Sequence, residues 1–163
     1  IEIPPLDASD EFITSCQTLI PLALEECHPK FKKWDFNVSF PSQIIRGKIL
    51  TKPRMQAGTM SWIPHSKKAS IAVSLEYLKL AAEKFPRTHW KIPALGTILH
   101  ELFEVDNIYK TTSRETLLSE LPFNSPGYSS SEAEQHADQR SLAFLRRHLG
   151  PHFSLKNGII TFS

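Results

Sequence analysis

A histidine and two glutamates lie close together in the segment Thr97-Ile-Leu-His100-Glu101-Leu-Phe-Glu104. Because residues four apart are neighbours on one face of an α-helix, His100 and Glu104 can reach the same ion. Imidazole nitrogen and carboxylate oxygen are both ligands that zinc accepts. Glu101 follows His100 directly, so its carboxylate can touch a water beside that ion. The spacing is therefore compatible with a divalent-metal site on a helix, in which Glu101 touches a bound water. A His-Glu pair on an amphipathic helix is also typical of a solvated or capped surface pair.

A second acidic pair stands on a later predicted helix. Glu134 and Asp138 are also four residues apart in the chain. A catalytic zinc site uses three protein ligands, and Glu134 would be the third beside His100 and Glu104. Asp138, one helical turn further on, would accept the remaining ring N–H of His100. This contact would fix the tautomer of the ring, which is the usual role of a carboxylate behind a metal-binding histidine.

Together the two segments resemble the gluzincin metallopeptidases, in which a His-Glu-x-x-ligand helix is followed by Glu-x-x-x-Asp on a later helix. The run from Glu134 to Asp138, with Ala137 inside it, is similar to a segment of the small ImmA/IrrE-type zincin-like peptidases. The matching residues lie between positions 97 and 145. The resemblance implies a zincin-like α+β fold, a zinc ion and a protein or peptide substrate. Glu104 stands where the family has a second histidine, so the motif here is His-Glu-x-x-Glu.

Glu104 can be interpreted in two ways. As a ligand it gives a His/Glu/Glu site, whose extra negative charge lowers the Lewis acidity of zinc relative to a histidine-rich site. Harder ions such as manganese become more competitive as oxygen ligands replace nitrogen. As a residue that does not bind metal, Glu104 marks a degenerate site in a binding protein.

Four further residues are weaker candidates for the site. On a helix, His136 lies about 200° round from Glu134, so it is either a flanking residue or a backup ligand in another register. Tyr109, Tyr128 and His152 could polarise the scissile carbonyl or stabilise its oxyanion, and each could equally be structural.

These residues need particular elements to position them. Apolar residues at helical spacing predict an N-terminal helix, from Ser9 or Asp10 to about Cys27, and a motif helix with Pro93 in its first turn. We expect His100, Glu101 and Glu104 to line the side of the motif helix opposite its buried face. Further predicted elements are strands at 34–40 and 44–51, a hairpin of 59–63 with 69–75, a helix at 74–85, a connection at 106–128, a helix from the capping box of Ser129 and Glu132 to Gly150-Pro151, and a hairpin turning at Asn157-Gly158.

The fold class that these elements predict is α+β: a small mixed or antiparallel sheet packed on the N-terminal helix, the motif helix and the C-terminal helix. We expect residues 1–163 to form one zincin-like domain, because this length suits one domain with a real core. The chain shows no apolar run near 18 residues, so no membrane span is predicted. The sequence gives no indication of an oligomeric state.

The net charge bears on the partners that the protein can bind, and the cysteines bear on its cellular compartment. The net charge is +2, so no strongly anionic partner is expected. Cys16 and Cys27 would be roughly 16 Å apart along one helix, which is too far for a disulfide. Two free thiols favour a reducing compartment, and hence the cytoplasm. Scattered basic residues could bind nucleic acid or an acidic partner, although the balancing acids favour a solvated surface: Lys30, Lys32, Lys33, Arg46, Lys48, Lys52, Arg54, Lys67 and Lys68.

The leading functional hypothesis is a small zinc-dependent peptidase, with manganese or another divalent ion as an alternative. The ion would lie between the two predicted helices that carry His100 and Glu134. Glu101 would take a proton from the attacking water and pass it to the leaving amine. The substrate would add as a strand to the hairpin at 59–75. The rival hypotheses are a catalytically silent zincin fold that binds protein or nucleic acid, and a metal hydrolase that does not act on peptides.

Overall fold

The chain combines α-helices with short strands in a computed structural model, which describes residues 10–27, 29–42, 45–46, 54–55, 57–63, 67–111, 131–156 and 158–162. In this part of the chain we find no helix with the length and apolarity that a membrane crossing requires. The helices are α1 (Asp10–Glu25), α2 (Leu75–Lys84), α3 (Lys91–Thr111) and α4 (Ser131–Leu149), with a 3₁₀ helix at Pro29–Lys33. The strands are β1 (Asp35–Ser39), β2 (Ile45–Arg46), β3 (Arg54–Met55), β4 (Gly58–Ile63), β5 (Lys68–Val73), β6 (Phe153–Lys156) and β7 (Ile159–Phe162).

A three-stranded sheet of mixed direction forms one side of the core. β5 lies in its centre, parallel to β1 and antiparallel to β4. The predicted hairpin of β4 and β5 is therefore confirmed. The alternation predicted for β1 is also present, because Phe36 and Val38 are half-buried while the residues between them are exposed. Of the strand predicted at 44–51, the structure describes β2, which pairs with β3 in an antiparallel ladder.

The helix α3 runs through the centre of the molecule. It contacts α1, α2, α4, β4, β5 and β7. In the fully described stretch from Ile92 to Asp106, every residue is buried except His100. The expectation that Glu101 and Glu104 line a more open side of this helix is therefore wrong. β4 approaches Glu101, and Glu104 lies beside His100, so both glutamates are buried, 7% and 3% exposed.

The helix is also longer than expected. It continues to Thr111, so the connection predicted to begin at residue 106 begins later. Residues 112–130 lie outside the described part of the chain, and they include Ser129 of the predicted capping box. The helix that follows ends at Leu149, immediately before the predicted Gly150-Pro151 stop.

The strands β6 and β7 form the C-terminal hairpin that the sequence predicted. This hairpin packs across α3 through β7. A Cβ atom at Gly96 of α3 would lie 3.0 Å from the side chain of Ile160, so this glycine permits the close approach of β7. Gly158 has a φ of 76°, a left-handed conformation that glycine adopts without strain. Asp138 lies beside this turn, with Oδ2 4.0 Å from the position of a Gly158 Cβ.

Arg140 joins three helices. Its guanidinium donates to Asp106 Oδ2 and Asn107 Oδ1 of α3, both at 2.8 Å, and to the Glu26 carbonyl oxygen after α1, also at 2.8 Å. The guanidinium also lies 4.3 Å from the ring centroid of Phe103. Asp106 is fully buried, so this ion pair fixes how α4 lies against α3.

The two cysteines occupy different places. Cys16 falls within α1, although its side chain lies outside the described atoms. Cys27 follows the end of α1, and its side chain is buried and is not part of a disulfide.

Candidate metal centre

The imidazole of His100 lies between two carboxylates. Its Nδ1 is 2.7 Å from Asp138 Oδ1, and its Nε2 is 3.1 Å from Glu104 Oε2. The predicted contact between Asp138 and His100 is therefore present, although its role behind a metal stays a prediction. The His100 side chain is 14% exposed, against 4% for Glu104. The ring thus connects a buried carboxylate to the protein surface.

The protonation of His100 determines what can bind between it and Glu104. A neutral His100 ring that is protonated at Nδ1 donates to the Asp138 carboxylate and carries a lone pair at Nε2. In that tautomer the lone pair faces Glu104 Oε2, and two acceptors 3.1 Å apart need a proton or a metal ion between them. A second ring proton meets this need. A metal ion also meets it, because zinc bonds of about 2.0–2.2 Å to each atom can span this separation.

The packing of α3 against α4 brings these residues together. Phe103 and Phe144 meet edge to face with ring centroids 5.7 Å apart, so the two helices are held side by side. His100 and Glu104 share one face of α3 because they are one turn apart. Asp138 meets them from α4, and Glu134 lies one turn before Asp138 on the same helix.

The third predicted ligand falls outside the described atoms. The backbone of Glu134 is part of α4, but its side chain is not described. Among the side chains that are described, no three His, Cys, Asp or Glu residues form a group that could hold a metal ion. The pair of His100 and Glu104 is therefore the described part of the predicted ligand set.

Glu101 lies between α3 and the sheet. A Cβ atom at Gly58 of β4 would come within 2.4 Å of Thr97 Cγ2, 2.9 Å of the Ala72 carbonyl oxygen and 3.6 Å of Glu101 Cγ. No real Cβ fits at the first distance, so the glycine lets β4 approach the helix. The carboxylate proposed as general base thus belongs to the turn of α3 that β4 crosses.

Tyr77 of α2 also belongs to this neighbourhood, and our sequence interpretation missed it. Burial raises the pKa of its phenol; a hydrogen bond with the Thr97 side chain lowers it, the charge of Asp138 raises it and His100 lowers it. Thr97 Oγ1 also donates to the Pro93 carbonyl oxygen at 2.9 Å. No local pattern could reveal the contact of Tyr77 with Thr97, because it joins two separate helices.

Four weaker candidates are not seen at the site. His136 is exposed, and it lies about 200° round α4 from Asp138, so it faces away from His100. His152 follows the end of α4, which lies roughly 16 Å along the helix axis from Asp138. Its ring is 6.0 Å from that of Phe162, at the open end of the C-terminal hairpin. The Tyr109 side chain and all of Tyr128 lie outside the described atoms.

No protein-family model matches this chain, and neither a curated protein nor a solved structure matches it.

Proposed function

We propose that this chain is a zincin-like peptidase that depends on zinc or on another divalent ion such as manganese. The observation that carries the proposal is the placement of His100, whose Nδ1 meets Asp138 while its Nε2 faces Glu104. Carboxylates are almost never fully buried unless they are paired or coordinate metals. Glu101 and Glu104 are both buried beside this histidine on one helix. That concentration of acidic groups would favour a bound cation.

Each residue has a defined part in the proposed reaction. His100, Glu104 and Glu134 would hold the ion, and Asp138 would orient the His100 ring. When bound, the ion would polarise the peptide carbonyl and lower the pKa of the attacking water. Glu101 would take the proton from this water and pass it to the leaving amine.

The position of β4 supports a peptide as the substrate. In the sheet as far as it is described, β4 is an outer strand, and Gly58 at its start approaches the turn of Glu101. An extended peptide that pairs with an outer strand gains main-chain hydrogen bonds regardless of its side chains. Such a peptide would pass beside the carboxylate that handles the proton.

The strongest rival is a catalytically silent fold that binds a protein or nucleic-acid partner. One observation favours it: a protonated His100 would satisfy Asp138 and Glu104 at the same distances without any metal. The two proposals differ in whether the site takes up an ion.

Metal content is the first test. Protein stripped with a chelator and reloaded with zinc or manganese should retain about one ion per chain by elemental analysis. Glu134→Ala should retain much less, while the control Glu83→Ala, which removes an exposed acid of α2, should match the wild type. Equal retention by wild type and Glu134→Ala would mean that this site does not hold metal, and the silent fold would take its place.

Catalysis is the second test. Glu101→Gln should keep the ion and the fold but lose about 10²–10⁴-fold in the cleavage of a peptide library. Glu83→Gln is the matched control, because it makes the same chemical change at an exposed position. Cleavage at the wild-type rate by Glu101→Gln would contradict the proposed role of this residue.

A further inference from the structure

Four exposed lysines come from two distant parts of the chain. Lys32 and Lys33 belong to the 3₁₀ helix, whereas Lys67 and Lys68 lie at the turn where β5 begins. The parallel ladder sets Asp35 opposite Lys68, and the Asp35 amide donates to the Lys67 carbonyl oxygen at 2.8 Å. Both lysine pairs therefore lie at the same end of the sheet. We call these four residues the lysine cluster.

The packing of the core determines that Lys32 and Lys33 point to solvent. Phe31 and Trp34 are buried, and their rings meet edge to face at 5.8 Å. Lys32 and Lys33, which lie between these two aromatic residues, are consequently exposed. Asp35 is exposed nearby, so the four ammonium groups of the lysine cluster outnumber one carboxylate.

The strand β4 connects the lysine cluster to the candidate metal centre. Gly58, at the start of β4, lies against Thr97 and near Glu101. Ile63, at its other end, is paired with Lys68. Five residues of strand span about 17 Å at roughly 3.4 Å per residue. A peptide paired along β4 has the same rise, so its residues near one end lie beside the turn of Glu101. Its residues near the other end lie level with Lys67 and Lys68 at the start of β5, the strand next to β4. Lys32 and Lys33 lie further across the same end of the sheet, before β1.

We propose that the lysine cluster binds acidic side chains of the substrate, about four to six residues from the bond that is cleaved. This inference rests on the proposed peptidase function and adds a preference for the substrate. Each exposed ion pair contributes little and is screened by salt, so several pairs together produce a preference and not an absolute requirement.

Peptide libraries test this preference. Two libraries carry randomised central positions and a fluorophore–quencher pair. One library has Glu-Glu and the other has Gln-Gln five residues from the centre, and each is made once with this dipeptide on the N-terminal side and once with it on the C-terminal side. At low salt the wild type should cleave the Glu-Glu library about three- to thirtyfold faster, and high salt should remove the difference. Lys67→Glu with Lys68→Glu should reverse the preference toward a Lys-Lys library, which a loss of structure would not do.

A matched variant separates local from overall charge. Lys79→Glu with Lys84→Glu makes the same charge change on exposed residues of α2, which begins beyond the opposite end of β5. This control should retain the preference for Glu-Glu. Equal cleavage of both libraries by the wild type, or an equal loss of preference in both double variants, would overturn the inference.

The inference can also be separated from the proposed function. If no library is cleaved, fluorescence anisotropy can still measure whether a short labelled Glu-rich peptide binds to the lysine cluster. Binding that depends on Lys67 and Lys68 would then support the cluster while the peptidase proposal fails. Absence of such binding would overturn the inference.

Discussion

At the scale of single residues, the orientation of the His100 ring is the feature on which the proposed metal chemistry depends. A histidine whose two nitrogens both meet carboxylates cannot rotate without losing both contacts. Asp138 determines which nitrogen remains available for an ion, and Glu104 determines what that nitrogen faces. Two substitutions test these two contacts separately.

Asp138→Asn keeps an acceptor oxygen for His100 Nδ1 but removes the charge. We expect zinc binding to weaken by about 10–100-fold without unfolding, the usual effect of losing the partner behind a metal-binding histidine. Calorimetric titration with zinc measures the affinity, and circular dichroism checks the fold. Gln139→Ala, at the exposed neighbouring position, should behave as the wild type. Unchanged affinity in Asp138→Asn would show that this carboxylate does not support an ion site.

Glu104→His should have the opposite effect on zinc. It replaces an anionic oxygen ligand by a neutral nitrogen ligand, which favours zinc over the harder manganese ion. Titration of both proteins with both ions should show tighter zinc binding and a larger zinc-to-manganese ratio in the variant. Zinc affinity that stays the same or falls would indicate that residue 104 does not face the ion.

At the scale of elements, the close approach of β4 to α3 depends on Gly58. Gly58→Ala should destabilise the protein by about 1–3 kcal/mol, because the new methyl group would collide with Thr97 Cγ2 and the Ala72 carbonyl. Urea unfolding measures this loss. Ser61→Ala, at an exposed position of the same strand, should cost much less.

A double variant identifies the source of the strain. Thr97→Ser removes Cγ2 but keeps the hydroxyl that bonds Pro93, so Gly58→Ala with Thr97→Ser should recover part of the stability. Strictly additive effects of the two substitutions would show that β4 and α3 do not make this contact.

Local sequence patterns predicted which helices and strands form better than they predicted which side chains are buried or in contact. The strand alternation of β1, the β4–β5 hairpin and the C-terminal hairpin were predicted from local signals, and the structure contains all three. The burial of Glu101 and Glu104 was not predictable in this way, because acidic residues on a helix normally indicate a solvated face. The contact of Tyr77 with Thr97 and the parallel pairing of β1 with β5 depend on tertiary packing, which short windows of sequence do not report.

At the scale of the whole molecule, Arg140 connects α1, α3 and α4. Arg140→Gln should destabilise the protein by about 3–5 kcal/mol, because it removes the guanidinium from the buried carboxylate of Asp106. Adding Asp106→Asn should recover part of that loss. Thermal and urea unfolding provide the measurement.

Arg147→Gln is the matched control on the same helix. Arg147 also reaches Glu26, at 2.6 Å, but its side chain is 56% exposed. Its loss should cost about 0–1 kcal/mol, as for other surface ion pairs. A comparable loss in both variants would contradict the view that burial of Asp106 makes Arg140 important.

The position of α3 has a consequence for motion. Helices, strands and a hairpin surround it, so its central amides can exchange hydrogen with solvent only when large parts of the protein open. We therefore expect slow amide exchange in the part of α3 from which the His100, Glu101 and Glu104 side chains project. Any ligand of these groups would meet a backbone that neighbouring elements hold on several sides.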